Sequence, residues 1–338
     1  MPSNPSVTPP AASAQAGSDL LPGDLLTRAE IDALRAVDPL RSAFQVLHCW
    51  GTIALVWVVC ALWTNPLTIL LGVLVVGTRQ LGLGILNHDA AHFLLFRHRG
   101  LNDWVAEWLL SRPLLGADVA GYRKVHLLHH RFTQQPNDPD LRLSAPFPIT
   151  RSSFWRKVLR DLTGQTALKQ HAALLRSAFG RPGEPVPQRL AAGARRLGPN
   201  LLINLAFLAG FALAGVWYLY FLLWVLPELT WRPLITRIRN IGEHAVVPDN
   251  DDRLRNTRTT LANRLERLLV APYYVNYHLE HHLLVSAPCY NLPRMHALLV
   301  GKGLLPRMEV QPGYRAMLRL AVSKPEGNPK GNPKGNKA

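Results

Sequence analysis

Polarity along the chain falls into blocks. Residues 43–63 and 66–87 are long apolar runs broken only by Arg79 and a few neutral polar side chains, and residues 201–226 carry no charge. About 20 apolar residues cross the hydrocarbon core as a helix, so these blocks predict membrane spans. Ahead of the first run, Thr27-Arg-Ala-Glu30 has the form of a capping box and predicts a short amphipathic helix. Residues 1–24, rich in Pro, Ser and Ala, are expected to be disordered, as is a cationic tail over 323–338 with a repeated Gly-Asn-Pro-Lys. One membrane domain, residues 25–322, remains between them.

Lys and Arg decide which loops stay in the cytoplasm. They are dense before Phe44, between Arg97 and Arg196, and after Trp231, whereas the turn Trp63-Thr-Asn-Pro66 has none. The N-terminus, the middle segment and the C-terminus are therefore expected on the cytoplasmic side. Gly210 and Gly215 allow a turn inside the third apolar block. The expected fold is all-α and integral to the membrane. It has four transmembrane helices in two hairpins (43–63, 66–87, 201–215 and 216–236), with a cytosolic helical cap. Residues 104–115 are too short to cross and contain Glu107, Arg112 and Pro113; residues 154–179 read as a basic amphipathic helix interrupted near Gly164. Trp217, Tyr218, Tyr220, Trp224 and Trp231 read as an interfacial aromatic belt.

The formal charge of +16 over 338 residues changes meaning in this setting. Aromatic residues do not interleave with basic ones as in a single-strand channel, so nucleic acid is not expected as a partner. Topology and anionic lipid account for the charge. Cys49, Cys60 and Cys289 have no paired spacing and predict no disulfide framework. The first residues lack the charged and apolar regions of a signal peptide, so the first span is expected to direct insertion, placing the protein in a bacterial inner membrane.

The chemistry lies in the histidines. Nine of thirteen fall in four clusters: His88-Asp-Ala-Ala-His92, His126-Leu-Leu-His129-His130, His244 alone, and His278-Leu-Glu-His281-His282. Spacings of i, i+3 and i+4 put imidazoles on one helix face, and Asn240 stands four residues before His244. At this histidine frequency about 0.02 His-x-x-His-His strings would arise by chance, and two occur. All four clusters fall on the cytoplasmic side of the expected topology.

Nine imidazoles are too many for one zinc ion, and Asp89 and Ala90 stand where a zinc protease would carry its Glu. With Asn240 they would serve two ions with about five ligands each, a nitrogen-rich set with open positions that suits iron activating dioxygen. Oxidising an unactivated C–H bond of a lipid needs an oxidant that side chains cannot supply.

From about His88 to Leu299 the chain resembles the membrane fatty acid desaturase family. The three boxes, His130-Arg-Phe-Thr, Asn137-Asp-Pro-Asp140, and Asn276-Tyr-His-Leu-Glu-His-His-Leu through Asn291-Leu-Pro-Arg294 carry the resemblance. It implies two irons held by His88, His92, His126, His129, His130, His244, His278, His281 and His282, with Asn240 in the family's Asn-plus-water position. It also implies dioxygen as co-substrate, a long-chain acyl lipid and an external electron donor, a ferredoxin or b-type cytochrome with its reductase. The basic residues Arg123, Lys124, Arg253, Arg255 and Arg258 are expected to form its docking face. The same boxes occur in hydroxylases and ketolases of fatty acyl chains and carotenoids, which is the alternative reading. A metal transporter would hold ligands at the midplane, where only His48 stands, and a haem carrier would leave most histidines unexplained.

His48 is expected to be a satisfied interior histidine, and His98, His171 and His296 surface or interfacial ones. Asp89, Glu243 and Glu280 adjoin the clusters and are open to either a ligand-orienting or a surface role. Arg79 and Gln80, two turns before His88, stand as partners of the cap or as lining of the substrate entrance.

Overall fold

A computed structural model describes residues 20–326, except 117 and 182. Most of the segment expected to be disordered at the N-terminus, and most of the cationic tail, lie outside the described residues. Inside them, Pro22–Leu25 forms one helical turn, and the Glu326 carboxylate accepts the Ser152 N–H.

Helices dominate. In α1 (Arg28–Leu34) the Thr27 hydroxyl accepts the Glu30 N–H while the Glu30 carboxylate accepts the Thr27 N–H, the expected capping box. Asp38 caps α2 (Pro39–Leu62), and Asn65 caps α3 (Pro66–Ala91) just after the uncharged turn. Three stretches are long and apolar enough to cross a membrane: Arg28–Leu62, Pro66–Ala91 and Val186–Leu213. They differ in surroundings. The apolar window of α3 is 67% buried, against 11% for Val186–Leu213, so α3 is the central helix and the last presents its apolar surface outward. This centrality explains two polar residues in α3. Arg79 donates to the Leu268 carbonyl and lies over the Tyr273 ring, while the Gln80 amide donates to the Trp224 carbonyl. Both tie the span to its neighbours.

After α3, α4 (Arg99–Val105) runs into a π-helical turn, Ala106–Ser111, and a 3-10 turn, Arg112–Leu114, burying Val105, Ala106 and Leu110. Next comes α5 (Val119–Phe132). The basic amphipathic stretch forms α6 (Arg151–Leu162) and α7 (Gln165–Ala178), broken at Gly164, whose φ of +76° a side chain would resist.

The third apolar block departs from expectation. Its first helix, α8 (Val186–Leu213), begins far ahead of residue 201. The polar half is held by packing: Arg196 donates to the Ser177 carbonyl, and Asn200 to that of Gly116. The expected turn falls at Gly215, with φ of +74°. Residues 216–236 do not form one uniform helix. Tyr218–Tyr220, a π-helical turn over Phe221–Val225 and Leu226–Leu229 follow in sequence, then a kink at Thr230 before α9 (Trp231–His244). Pro227 lacks the N–H that would bond back to Leu223, and a π turn absorbs the mismatch.

The rest of the chain packs on the end of α3. It contains α10 (His278–Leu283), α11 (Leu292–Gly301), α12 (Tyr314–Ala321) and a parallel pair of short strands, β1 (Thr259–Thr260) and β2 (Val310–Gln311). One apolar cluster joins α2, α3 and Leu219–Trp224. Two smaller ones join α1 to α10 and α11, and α9 to α12. The histidine clusters lie among these elements.

Candidate metal centre

The C-terminal turn of α3 carries His88, and His92 caps it. Carbonyls left open at a helix end need donors. Arg123 of α5 supplies them, its Nε bonding the Ala91 oxygen at 2.9 Å and an Nη the Ala90 oxygen at 3.2 Å. Arg123 also pairs with Asp103 and lies 3.9 Å from the Phe93 ring centroid. The helix bearing the second cluster is thereby clamped to the helix bearing the first.

The imidazoles converge in two groups. His88, His92, His126, His130 and His281 form one; His129, His244, His278 and His282 form the other. Within each group one ring nitrogen from every histidine lies within 4.8 Å of the rest. The Nε2 atoms approach closely: His92 to His126 and His126 to His130 at 2.9 Å, and His130 to His281 at 3.0 Å. In the second group His244 to His278 is 2.8 Å and His278 to His282 is 3.0 Å. Donors about 2.1 Å from a shared ion stand roughly 3 Å apart when adjacent and roughly 4 Å apart when opposite, so this spacing fits a ligand shell. The groups adjoin, with the His130 and His282 ring centroids 4.2 Å apart.

Tautomers point the lone pairs inward. His129 Nδ1 lies 2.8 Å from Asp138 Oδ1, and His282 Nδ1 lies 3.2 Å from the Thr133 hydroxyl, which donates to the His129 carbonyl. With the proton held on Nδ1, Nε2 is free to bind a cation. Burial first, then neighbouring imidazoles, pushes His126, His130, His278, His281 and His282 well below the usual histidine range. Burial together with Arg123 takes His92 to about 4. Ring nitrogens gathered this closely in buried rings can supply the lone pairs that a cation needs, so the donor set fits metal. Two further buried acceptors have no partner, His88 Nε2 and Glu243 Oε2, the latter 3.6 Å from His278 Nε2.

Asn240, one helical turn before His244, lines a cavity beside Arg142, Phe147 and Arg237. The remaining histidines lie outside both groups. The His48 ring nitrogen meets the Tyr273 hydroxyl at 3.1 Å, His98 caps α4, and His171 bonds the Ala167 carbonyl. His296 is not simply a surface residue: its Nδ1 lies 2.6 Å from Glu280, whose other oxygen accepts the Thr259 hydroxyl. Glu280 thus holds α10 in place without touching a ligand ring.

Two expectations need correction. Arg258 is 1% exposed and bonds the Ala245 and Val246 carbonyls and Glu309, so it cannot belong to a docking face. Arg123 is engaged as described, leaving Lys124 and Arg255 exposed. Tyr220 and Trp224 do not serve a belt. They line an apolar cavity of about 380 Å³ with Leu114, Leu174, Leu197 and Leu201. Leu114 and Leu174 also line a second, more open cavity of about 240 Å³ that reaches Asn87, beside His88, and Tyr122, whose ring stacks on His126. Sequence reading assigned no role to Asp138, Thr133 or Tyr122; the Asn137-Asp-Pro-Asp140 motif was the available signal for Asp138.

Residues 63–309, which include all nine histidines, match the sequence family described as fatty acid desaturase. The chain is 26% identical over 264 residues to a dihydrorhizobitoxine desaturase of Bradyrhizobium elkanii, covering 75% of this chain and 70% of that protein. It is 24% identical over 234 residues to a zeaxanthin 4-ketolase of Chlamydomonas reinhardtii, covering 67% of this chain and 43% of the relative. With its histidine groups and membrane-length helices inside that match, the chain belongs to the fatty acid desaturase family.

Proposed function

We propose that this protein is a membrane di-iron desaturase that uses dioxygen to introduce a double bond into a fatty acyl chain of a lipid. The observation that carries the reading is the convergence of nine imidazoles into two adjoining groups, next to a cavity that borders an apolar one. His88, His92, His126, His130 and His281 would hold one iron. His129, His244, His278 and His282 would hold the other, with Asn240 completing its set from the preceding turn. Iron in such a site supplies dioxygen activation.

The protein's own groups prepare the site. Asp138 keeps a proton on His129 Nδ1, and Thr133 orients His282. Leu114, Leu174, Leu201 and Trp224 exclude water and hold the chain extended, so that neighbouring C–H bonds are presented in a fixed order. Electrons come from a separate ferredoxin or b-type cytochrome. A polar pocket lined by Arg131, Asn250, Arg253 and Asn256 reaches His130 and His282, one ligand from each group, and gives that donor its shortest approach. The four crossings and the cytoplasmic placement of site and termini belong to this reading, with the broken segment 218–244 as the return crossing.

A second reading, oxygen insertion by a hydroxylase or ketolase, draws on the polar side chains Asn87, Tyr122, Gln170 and Arg232, which line the cavity beside His88, and on the similarity to a ketolase. Lipid mass spectrometry of an expressing host separates the two. Desaturation gives an iron- and oxygen-dependent loss of two hydrogens. A gain of one oxygen from labelled dioxygen as the main product would replace the first reading with the second.

A further inference from the structure

Glu228 is 6% exposed and lines the apolar cavity among Leu114, Leu174, Leu197 and Leu201. A carboxylate buried beside leucines is costly unless its oxygens find donors. The other polar groups of that wall are satisfied by one another and by backbone. Asn200 Oδ1 accepts from Arg112, and its Nδ2 donates to the Gly116 carbonyl. Asn204 Nδ2 donates to the Pro113 and Asn200 carbonyls, while its Oδ1 accepts the Tyr220 hydroxyl and the Trp224 indole N–H.

Glu228 is the exception. Its Oε1 accepts from Arg232, four residues on and across the kink at Thr230. Its Oε2 is buried with no hydrogen-bond partner among the described residues, and so is Arg232 Nε of the same ion pair. His171 does not fill the gap. Its Nδ1 donates to the Ala167 carbonyl, and its Nε2 stands 3.8 Å from Oε1, beyond hydrogen-bond reach. One acceptor and one donor are thus left over at a single ion pair. That pair sits where the apolar cavity adjoins the more open one: Glu228 lines the first, Arg232 the second, and His171 both.

Ligand pockets are mostly apolar, with a few placed polar groups that fix the ligand's orientation. A plain methylene chain would leave both atoms unsatisfied, each at its full desolvation cost. An ammonium group does not suit them either, since Arg232 already cancels the carboxylate's charge and an ammonium cannot accept from Nε. A hydroxyl does both, donating one hydrogen bond and accepting another. We propose that the lipid oxidised here carries a hydroxyl on its chain, seated between Glu228 Oε2 and Arg232 Nε where the two cavities meet. The terminal torsion of a glutamate is soft, so Oε2 turns toward that group without moving the backbone. Anchored there, the hydroxyl sets how far along the chain the reacting carbons lie from the histidine groups. This rests on the acyl-substrate reading above and adds a specificity-determining residue, Glu228, to it.

Equilibrium binding to the full-length, iron-loaded protein in zwitterionic lipid nanodiscs tests the assignment. The probes are stearate, a positional series of monohydroxystearates, and their methyl ethers. At least one hydroxy isomer should bind about tenfold tighter than stearate, as a hydrogen bond to a buried charged group implies. Its methyl ether, which accepts but cannot donate, should not. Glu228→Gln with its iron content unchanged should bring that isomer and stearate within about twofold of each other. Equal binding of stearate and every isomer by the unmodified protein would overturn the proposal. So would a methyl ether that binds as tightly as its alcohol, or a preference that survives in E228Q. The ether comparison needs no variant and decides even if E228Q loses its iron. An intact preference, with no double bond formed in any probe under any donor, would remove the desaturase reading and leave the hydroxyl site standing. Double bonds formed in stearate with no preference among the probes would do the reverse.

Discussion

His129 and Asp138, both buried, meet at 2.8 Å between Nδ1 and Oδ1, and this contact fixes which nitrogen of His129 faces the second histidine group. Asp138 also accepts the N–H groups of Gln134 and Asp140, so the carboxylate is held by the loop that follows α5. Replacing Asp138 with Asn should weaken metal retention about 10- to 100-fold, the usual cost of losing an outer carboxylate. Chelator competition against the purified protein measures it, and retention equal to that of the unmodified protein would remove the role given to Asp138.

Purified anaerobically, the protein should carry two irons per chain. Alanine at His88, His126, His130, His278, His281 or His282 should lower iron content and abolish turnover. Alanine at His98, which caps α4 outside both groups, should cost about 1 kcal/mol of stability and leave the iron in place. One zinc per chain and no iron after reconstitution would sink the di-iron assignment.

Acid should destabilise the metal-free protein. Burial holds His126, His130, His278, His281 and His282 well below the usual histidine range in the fold, and His92 near 4, whereas in the unfolded chain they take up protons near 6.5. Their folded values are depressed, so the unfolded state binds more protons below about pH 6.5 and stability falls as pH drops from there toward 4. Thermal midpoints of the apoprotein recorded across pH 7.5 to 4.5 read this out; a midpoint that rises on acidification contradicts it.

A reporter fused after Gly215 should read external to the membrane, and one fused after Arg267 internal. Gly215 forms the turn between α8 and the broken return segment. Should Arg267 read external, the segment from Tyr218 to His244 does not return and the proposed cytoplasmic site fails.

Donor docking should separate exposed from buried arginines. Charge reversal at Arg131 or Arg255 should raise KM for an acidic donor, with turnover falling as salt increases. Arg258→Ala should instead lower the thermal midpoint, because it leaves the Glu309 carboxylate and the Ala245 and Val246 carbonyls without the buried guanidinium they share. Salt-insensitive turnover with a saturating acidic donor would assign the basic surface to lipid or topology alone.

Local sequence determined whatever depends on neighbours within a few turns. Apolar run length marked α2 and α3, Thr27 and Glu30 closed their capping box, and Gly164 and Gly215 took the left-handed turns their positions required. Histidine spacing told which imidazoles share a helix face. Tertiary packing decided what they do together. His129 leaves His126 and His130, its neighbours on α5, and joins His244, His278 and His282, because its ring meets His244 of α9 while those of His126 and His130 meet His92 at the end of α3, and α10 supplies both groups. His130 and His281 meet at 3.0 Å across 151 residues, a contact no local pattern encodes. The same holds for Arg258, whose charge reads as surface until packing encloses it, and for α8, whose polar first half is tied to Ser177 and to the loop at Gly116. Pattern reports the preference of a segment for water or oil; which partner satisfies it is fixed only when distant segments close around the same space.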